Sequence, residues 1–351
     1  MGGKVRIGVI GAGIGSAHSK ALKQVKDAEL SAICDIDEAR AKVAATNWQI
    51  PKVYKDYKEM IKKEKLDAVT VALPNHLHKE VTIKAFEMGC HVFCEKPMAM
   101  NAGEAEEMIA AGKKAKKILA IGFVQRFRSE SLLLKKLITG GDMGNVYHSM
   151  VFALRRRGVP GWGTWFTTKS KSGGGGLIDI GVHIIDLTMW EMGFPKPVSV
   201  TGSEYMMFGH KKDYNYISMW GSKNEKGIYD VDDYATAFVR FENGATMTLE
   251  VSWAANVEKD CFYSVILGDK GGARLDIDEP LKIYTEHYGK IADIVPKYIK
   301  EDNWFNQFSN FIDSVKNNKT PVTPGEHGLQ VQKVIDAIYL SSKTKKEVKI
   351  T

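Results

Sequence analysis

Cysteine is scarce in this chain: four in 351 residues, Cys34, Cys90, Cys94 and Cys261, with no C-x-x-C pair among them. That spacing offers no zinc-knuckle or dithiol arrangement, so neither a metal site nor a disulfide is expected. Three of the four lie in or beside apolar runs, where cysteine serves as a small core residue. Long hydrophobic runs are missing too. None approaches the roughly 20 residues that cross a bilayer, so no membrane association is expected. Met1-Gly-Gly-Lys-Val-Arg leads directly into a strand without a secretory apolar region, and Arg6 stands where a myristoylation signal needs Ser or Thr. These absences point to a cytoplasmic protein. The formal charge is +7, but much of the excess sits on helix faces (Lys113, Lys114, Lys116, Lys117) and in the tail from Lys343 to Lys349. Neither place interleaves the charge with stacking aromatics, so nucleic acid is not an expected partner.

What is present fits a soluble enzyme of two domains, with 44% hydrophobic and 26% charged residues. The first third alternates short apolar runs (Val5–Ile10, Leu30–Cys34, Ala68–Leu73, His91–Cys94, Ile118–Phe123) with amphipathic segments. The segments begin near Ala17, Asp37, Tyr57, Leu77 and Asn101, the last with Glu104 placed for a capping box. Such alternation implies βαβ units and a parallel sheet. Residues 1–124 are therefore expected to form an α/β, doubly wound Rossmann domain.

After Gln125 the pattern changes. A helix near Ser131–Ile138, a strand at Val146–Leu154, a Gly-rich loop and an apolar helix at Leu177–Trp190 come first. Val198–Met206, Ala235–Phe241 and Ala245–Trp253 then read as strands, with Asn243-Gly244 as a hairpin turn. A helix over Gly328–Ser341 closes the chain. Residues 125–351 are expected to be an α+β domain with a large, mostly antiparallel open sheet.

Between the first strand and first helix stands Gly11-Ala-Gly13-Ile14-Gly15-Ser16. Glycines there let the backbone turn sharply and approach a pyrophosphate resting on the helix N-terminus. The pattern departs from G-x-G-x-x-G, because Ser16 occupies the third position and Gly15 comes one place early. A plain strand–helix turn is the alternative. Asp35 ends the second strand 22 residues after Gly13, near the ~20 expected of a ribose-binding acid. Its carboxylate would accept from ribose hydroxyls and repel a 2′-phosphate. No arginine follows at once, and Arg40 is five residues on, so NAD is expected rather than NADP. Asp35 could instead cap a helix, but Asp37 is better placed for that.

At the end of the fifth run stands Glu95-Lys96-Pro97, where open α/β sheets bind ligands. Lys96 there either reaches into a cleft or is a surface lysine. The stretch from Gly173 to Trp190 is apolar nearly all round as a helix. Its exceptions, Asp179, His183 and Asp186, share one face at i, i+4 and i+7. Burying them is costly unless they are paired or working. An Asp one turn before a His can orient the imidazole for proton transfer; the alternative is a structural pair.

Glu95-Lys96-Pro97 together with Gly-Gly-Gly-x-x-x-Asp179-x-Gly-x-His183 resembles the glucose–fructose oxidoreductase and inositol dehydrogenase family (Gfo/Idh/MocA). Pro74-Asn75-x-x-His78, Arg126-Phe127 and the segment from Gly328 to Tyr339 extend the resemblance nearly end to end. The resemblance implies an NAD(H)-dependent oxidoreductase acting on a secondary hydroxyl of a sugar, sugar derivative or inositol. Lys96 would reach the reacting hydroxyl, His183 would be the general acid/base and Asp179 its partner. Gly11, Gly13, Ile14, Gly15, Asp35, Pro74, Asn75, His78, Glu95, Lys96 and Arg126 would attend the cofactor. An open sheet in such proteins commonly forms homodimers or homotetramers.

The loop Arg155-Arg-Arg-Gly-Val-Pro-Gly-Trp162-Gly-Thr-Trp165 is the expected source of substrate contacts, since tryptophan stacks on sugar faces and arginine forks onto hydroxyls. Arg155, Trp162 and Trp165, with Asp179 and His183, are the candidates; aromatics that merely anchor the loop are the alternative. Three other functions share these features: a redox-neutral NAD-dependent glycoside hydrolase, a non-catalytic NAD-sensing regulator and an NADP-dependent reductase.

Overall fold

The computed structural model describes residues 3–351 apart from 212, 216–219 and 222. The chain divides into two compact units, Met1–Phe127 with Asp302–Leu329, and Arg128–Glu301 with Gln330–Thr351. The sequence pattern places everything after residue 124 in a second domain; by compactness, residues 302–329 group with the first unit.

The first unit is built on a six-stranded sheet of order β3-β2-β1-β4-β5-β6. Its strands are β1 (Val5–Ile10), β2 (Ala28–Cys34), β3 (Lys52–Tyr54), β4 (Ala68–Val71), β5 (His91–Cys94) and β6 (Leu119–Ile121). Every pairing is parallel. β4 and β5 are buried at every residue, as strands covered on both faces must be. The order reverses between β1 and β4, and such a switch point is where doubly wound sheets bind dinucleotides.

Helices α1 (Gly15–Leu22), α2 (Glu38–Trp48), α3 (Tyr57–Glu64), α4 (His78–Glu87) and α5 (Ala102–Ala115) connect the strands. Asp37 accepts from Arg40 N to cap α2, and Asn101 accepts from Glu104 N to cap α5. Glu104 reaches back to Met100 N, one residue short of the usual capping-box partner.

The returning segment is an amphipathic helix, Asn303–Asn317, capped by Asp302. Phe308, Phe311, Ile312 and Val315 join the core formed by Val5, Ile7, Val9 and Phe93. That apolar face needs cover and finds it on the first sheet, which explains the discontinuous unit.

The second unit has a nine-stranded sheet of order β14-β13-β12-β11-β7-β10-β9-β8-β15. The strands are β7 (Val146–Leu154), β8 (Pro197–Tyr205), β9 (Tyr234–Phe241), β10 (Thr246–Ser252), β11 (Cys261–Gly268), β12 (Gly272–Asp276), β13 (Lys282–His287), β14 (Lys290–Ile294) and β15 (Val348–Lys349). Only β7 and β10 pair in parallel; the other pairings are antiparallel. Asn243-Gly244 makes the β9–β10 turn, with Gly244 at φ +84°. Helix α6 (Ser129–Gly140) follows the first unit, and a short α7 (Lys169–Ser172) precedes the apolar helix α8 (Val182–Glu191). α6 and α8 pack on each other and on β7, β11 and β12. Buried and half-exposed residues alternate along β9, β10 and β11, so one face of this sheet is core and the other is not. No helix among the described residues is long and apolar enough to cross a membrane.

Candidate functional site

In the first unit the site is built where β1, β2, β4 and β5 end. Gly11 has φ +97°, and a Cβ there would lie 2.2 Å from the Ala72 carbonyl oxygen just after β4. Only glycine permits that approach. Gly15 serves packing: its Cβ would stand 2.7 Å from Val9 Cγ1, so α1 lies tightly against β1. Gly13 differs, because a Cβ there would meet nothing within 4 Å. It and Ile14 are exposed on the open side of the turn. Ser16, the residue departing from the usual glycine pattern, receives a hydrogen bond from Trp48 Nε1 at 2.9 Å.

Asp35 is buried, and its carboxylate braces this turn. Oδ2 accepts from Ala12 N at 2.7 Å, and Oδ1 accepts from Asp37 N at 2.8 Å and from Arg40 Nη2 at 3.0 Å. Arg40, remote by sequence count, is thus in direct contact with the acid. The turn, the open Gly13 and the acid at the end of β2 fit a dinucleotide: N–H groups and helix end for pyrophosphate, carboxylate for ribose.

Beyond β4, Pro74 opens the short turn Asn75–Leu77, and Asn75 is buried. His78 was expected beside the cofactor. It is fully buried, with Nδ1 2.8 Å from the Pro97 carbonyl and Nε2 2.8 Å from the Leu73 carbonyl. Its ring brackets the ends of β4 and β5, and burial holds its pKa below the ordinary value even though both carbonyls pull the other way. Arg126 is likewise fully buried, donating to the Val322 carbonyl at 2.7 Å and contacting His327 Nδ1 at 3.0 Å. Both side chains are fully buried and hydrogen-bonded to the chain itself. Glu95 is also buried, hydrogen-bonded to His18, and its Oε2 accepts from Lys96 N. Lys96 itself is half-buried at the strand end, and the Lys96–Pro97 bond is cis.

In the second unit the candidate residues lie on one continuous helical stretch whose opening, Leu177–Gly181, is a π-turn leading into α8. Such insertions widen one turn and recur at functional sites. The plain α-helix expected over Leu177–Trp190 is therefore altered at Asp179. Asp179 is buried, and its Oδ2 accepts from Trp253 Nε1 at 2.9 Å. His183 is half-buried and Asp186 fully buried.

The start of this stretch is fixed by Asp232, whose carboxylate accepts from Gly175 N at 2.7 Å, Leu177 N at 2.8 Å and Tyr339 Oη at 2.7 Å. It is an N-cap supplied from a distant segment. Burial raises the Asp232 carboxyl despite those donors. The glycines make the approach possible: a Cβ on Gly174 would lie 2.1 Å from Tyr339 Oη, and one on Gly175 would lie 1.9 Å from the Asp232 carbonyl oxygen. Sequence reasoning missed Asp232 and Trp253. Three consecutive glycines before an apolar helix mark a helix start that something else must approach, which was the available signal.

The loop expected to contact substrate is partly an anchor. Trp162 is buried, and its Nε1 donates to the Gly209 carbonyl at 2.6 Å. Arg155 Nη1 donates to the Gly158 carbonyl within the loop. Trp165 is half-exposed and stacks on Phe166 with centroids 3.7 Å apart.

A Rossmann unit with an open glycine turn, joined to an α/β unit carrying a buried Asp–His stretch, defines a dinucleotide-dependent oxidoreductase. Residues 5–123 match the family described as oxidoreductase family, NAD-binding Rossmann fold, and residues 135–350 match its C-terminal alpha/beta domain. The chain belongs to this family, Gfo/Idh/MocA. It is 35% identical over 350 residues to a D-glucoside 3-dehydrogenase of Escherichia coli K12, covering 99% of this chain and 97% of the relative. It is 29% identical over 352 residues to a myo-inositol 2-dehydrogenase of Thermotoga maritima, covering 99% and 98%. Among solved structures, an oxidoreductase domain protein from Kribbella flavida superposes with TM-score 0.88 at 27% identity, over 99% of this chain and 100% of that one. A levoglucosan dehydrogenase in complex with NADH and levoglucosan shares the fold at TM-score 0.85 and 22% identity, over 99% of both chains.

Proposed function

We propose that the protein oxidises a secondary hydroxyl of a sugar or glycoside, or reduces the corresponding ketone, with NAD(H) as cofactor and Lys96, Asp179 and His183 as the catalytic set. The observation that carries the reading is Asp179: a buried carboxylate, gripped by the Trp253 indole, four residues before the half-buried His183 in a stretch apolar but for these two, Asp186 and Thr188. Such a pair, raised on a dedicated π-turn and a tertiary cap, is unnecessary for packing. It suits a base that must accept a proton and be stabilised when it does.

Nicotinamide, when bound, supplies the two-electron acceptor. The chain's own residues do the rest. Gly11, Gly13, Ile14 and Gly15 shape the turn for pyrophosphate, with Asp35 for ribose and Pro74 and Asn75 beside them. His183 takes the hydroxyl proton, Asp179 orients it and balances the resulting imidazolium, and Lys96 stabilises the developing alkoxide electrostatically. The acid at residue 35 favours NAD over NADP. D-glucosides are the first substrates to test, in view of the Escherichia coli relative. The half-exposed sheet face, where Phe152 stacks on Tyr263 at 4.9 Å, supports assembly into a homodimer or homotetramer.

The test is to incubate the purified protein with NAD or NADP and a panel of glucosides, anhydrosugars, free aldoses and inositols, following absorbance at 340 nm near pH 9. Growth with NAD and one class supports the reading and names the class. His183→Ala should lose about 10²–10⁴-fold in turnover while still binding NAD; near-normal turnover would reject the assignment. Tight NAD binding with silence throughout would favour a redox-neutral hydrolase or a sensor instead.

A further inference from the structure

The first unit holds a buried polar couple that packing and capping do not explain. His18, on α1, is fully buried, and its Nε2 lies 2.8 Å from Glu95 Oε1. The other Glu95 oxygen accepts from Lys96 N at 3.1 Å. Room for the carboxylate exists because residue 122 is glycine: a Cβ there would lie 2.9 Å from both oxygens. Phe93, Trp304 and Phe308 surround the imidazole, with ring centroids 5.5, 5.6 and 5.0 Å away.

An apolar side chain at position 18 would fill this box but leave the buried Glu95 carboxylate without its partner. Instead a histidine commits its Nε2–H to Glu95, while Nδ1 has no hydrogen-bond partner among the described residues. One end of the ring is thus left unsatisfied in order to hold the other. The couple also joins two elements that serve the cofactor, since His18 follows the glycine turn and Glu95 precedes Lys96.

We propose that His18, acting through Glu95, is a positioning residue for Lys96: it fixes the carboxylate that sets both the backbone turn and the local charge from which the ammonium projects. This rests on the reading above, in which Lys96 serves the reaction. Burial alone would raise the Glu95 carboxyl. The hydrogen bond and charge of His18, with Lys96 beside it, outweigh burial and hold the carboxyl below its usual range. The titratable groups facing the couple are Glu95 and Lys96 from the β5 end and His18 from α1. Gly122, just after β6, and Trp304 and Phe308 of the returning helix complete the surroundings, none of them charged.

The experiment compares His18→Leu and His18→Gln in the full chain. Leucine removes the donor, and glutamine keeps one. The leucine variant should lower kcat by about tenfold or more, the scale of one charge-assisted hydrogen bond. NAD affinity should stay within about threefold, because the pyrophosphate turn is untouched. The acid limb of the kcat–pH profile should move upward, since Glu95 then protonates at higher pH, and glutamine should restore most of both. Carboxyl carbon-13 NMR of the glutamate-labelled protein, with Glu95→Gln to assign the signal, reads the same shift without turnover. An unmoved Glu95 midpoint in the leucine variant overturns the proposal. So does equal damage in both variants with an unchanged pH profile, which would mean a structural role only. Lys96→Met separates the two levels: an inactive Lys96→Met beside a normal His18→Leu defeats this inference alone, whereas an active Lys96→Met defeats the catalytic reading.

Discussion

Replacing Asp35 by serine tests the cofactor end most directly, because this side chain carries both a structural and a recognition duty. The native carboxylate accepts from Ala12 N, Asp37 N and Arg40 Nη2 at 2.7, 2.8 and 3.0 Å. Serine is too short to reach all three and carries no charge. Leaving the buried Ala12 N–H without its acceptor costs about 1–3 kcal/mol. The Arg40 pair adds no more than about 1 kcal/mol, since the guanidinium is half exposed to solvent. The apo protein should therefore lose about 1–4 kcal/mol, which at roughly 2–4 °C per kcal/mol for a unit of this size lowers Tm by several degrees or more. If the carboxylate also accepts from ribose hydroxyls, each such bond is worth about 1.5–3 kcal/mol, and NAD affinity falls about 10–100-fold. NADP should respond in the opposite sense. A repelling charge is removed, and Arg40 is released to meet a 2′-phosphate. Titrating both dinucleotides by quenching of tryptophan fluorescence at fixed ionic strength measures the ratio, and thermal melts measure the structural share. A fall in Tm with NAD and NADP affinities both unchanged would refute ribose recognition by Asp35 while leaving its bracing role intact. An unchanged Tm would refute the bracing role as well.

Trp253→Phe keeps the aromatic volume and removes the N–H that holds Asp179, so kcat should fall about tenfold and Tm by a few degrees; equal kcat would mean Asp179 is fixed by other contacts. Glu191 is buried and its carboxyl is pushed up to about 8. The folded state then binds more protons than the unfolded one between about 4.5 and about 8, and stability falls with rising pH by up to ~1.4 kcal/mol per unit there. Glu191→Gln should remove that slope, so melts at pH 5 and 8.5 should differ less in the variant than in the parent; parallel curves would contradict a neutral buried Glu191. Gly11→Ala forces a Cβ to 2.2 Å from the Ala72 oxygen at φ +97°. NAD binding should be lost with a marked drop in Tm, and a variant binding NAD normally would show that the turn can relax.

Local signals in the sequence were enough to place most of the first unit. Short, mostly apolar runs such as Ala68–Val71 and His91–Cys94, alternating with longer amphipathic segments, read as strands covered on both faces, and Asp37 and Asn101 cap their helices as side-chain chemistry requires. What stayed illegible depends on partners far along the chain. The helix Asn303–Asn317 is absent from the sequence reading altogether, and nothing local to it says which core it covers. His78 and Arg126 sit in recognisable motifs, but no spacing pattern reports that both are fully buried and bonded to the Leu73, Pro97 and Val322 carbonyls. Trp253 and Asp232 lie 74 and 55 residues beyond the groups they hold, Asp179 and Leu177. A spacing pattern cannot report a tertiary cap. Arg40 is a milder case: counting residues set it apart from Asp35, whereas one turn of α2 brings its guanidinium back to the carboxylate.

The return of residues 302–329 to the first unit also orders events at the ribosome. Synthesis delivers β1 to β6 early, yet the aromatic helix that seals Phe93 and His18 emerges only after strands β7 to β14 of the second sheet have been made. Until then the cofactor unit is a sheet with one flank uncovered, and N-terminal-first folding cannot finish it. A fragment ending at Phe127 would carry the same exposed flank permanently, so a minimal dinucleotide-binding piece must splice Asp302–Leu329 back onto it.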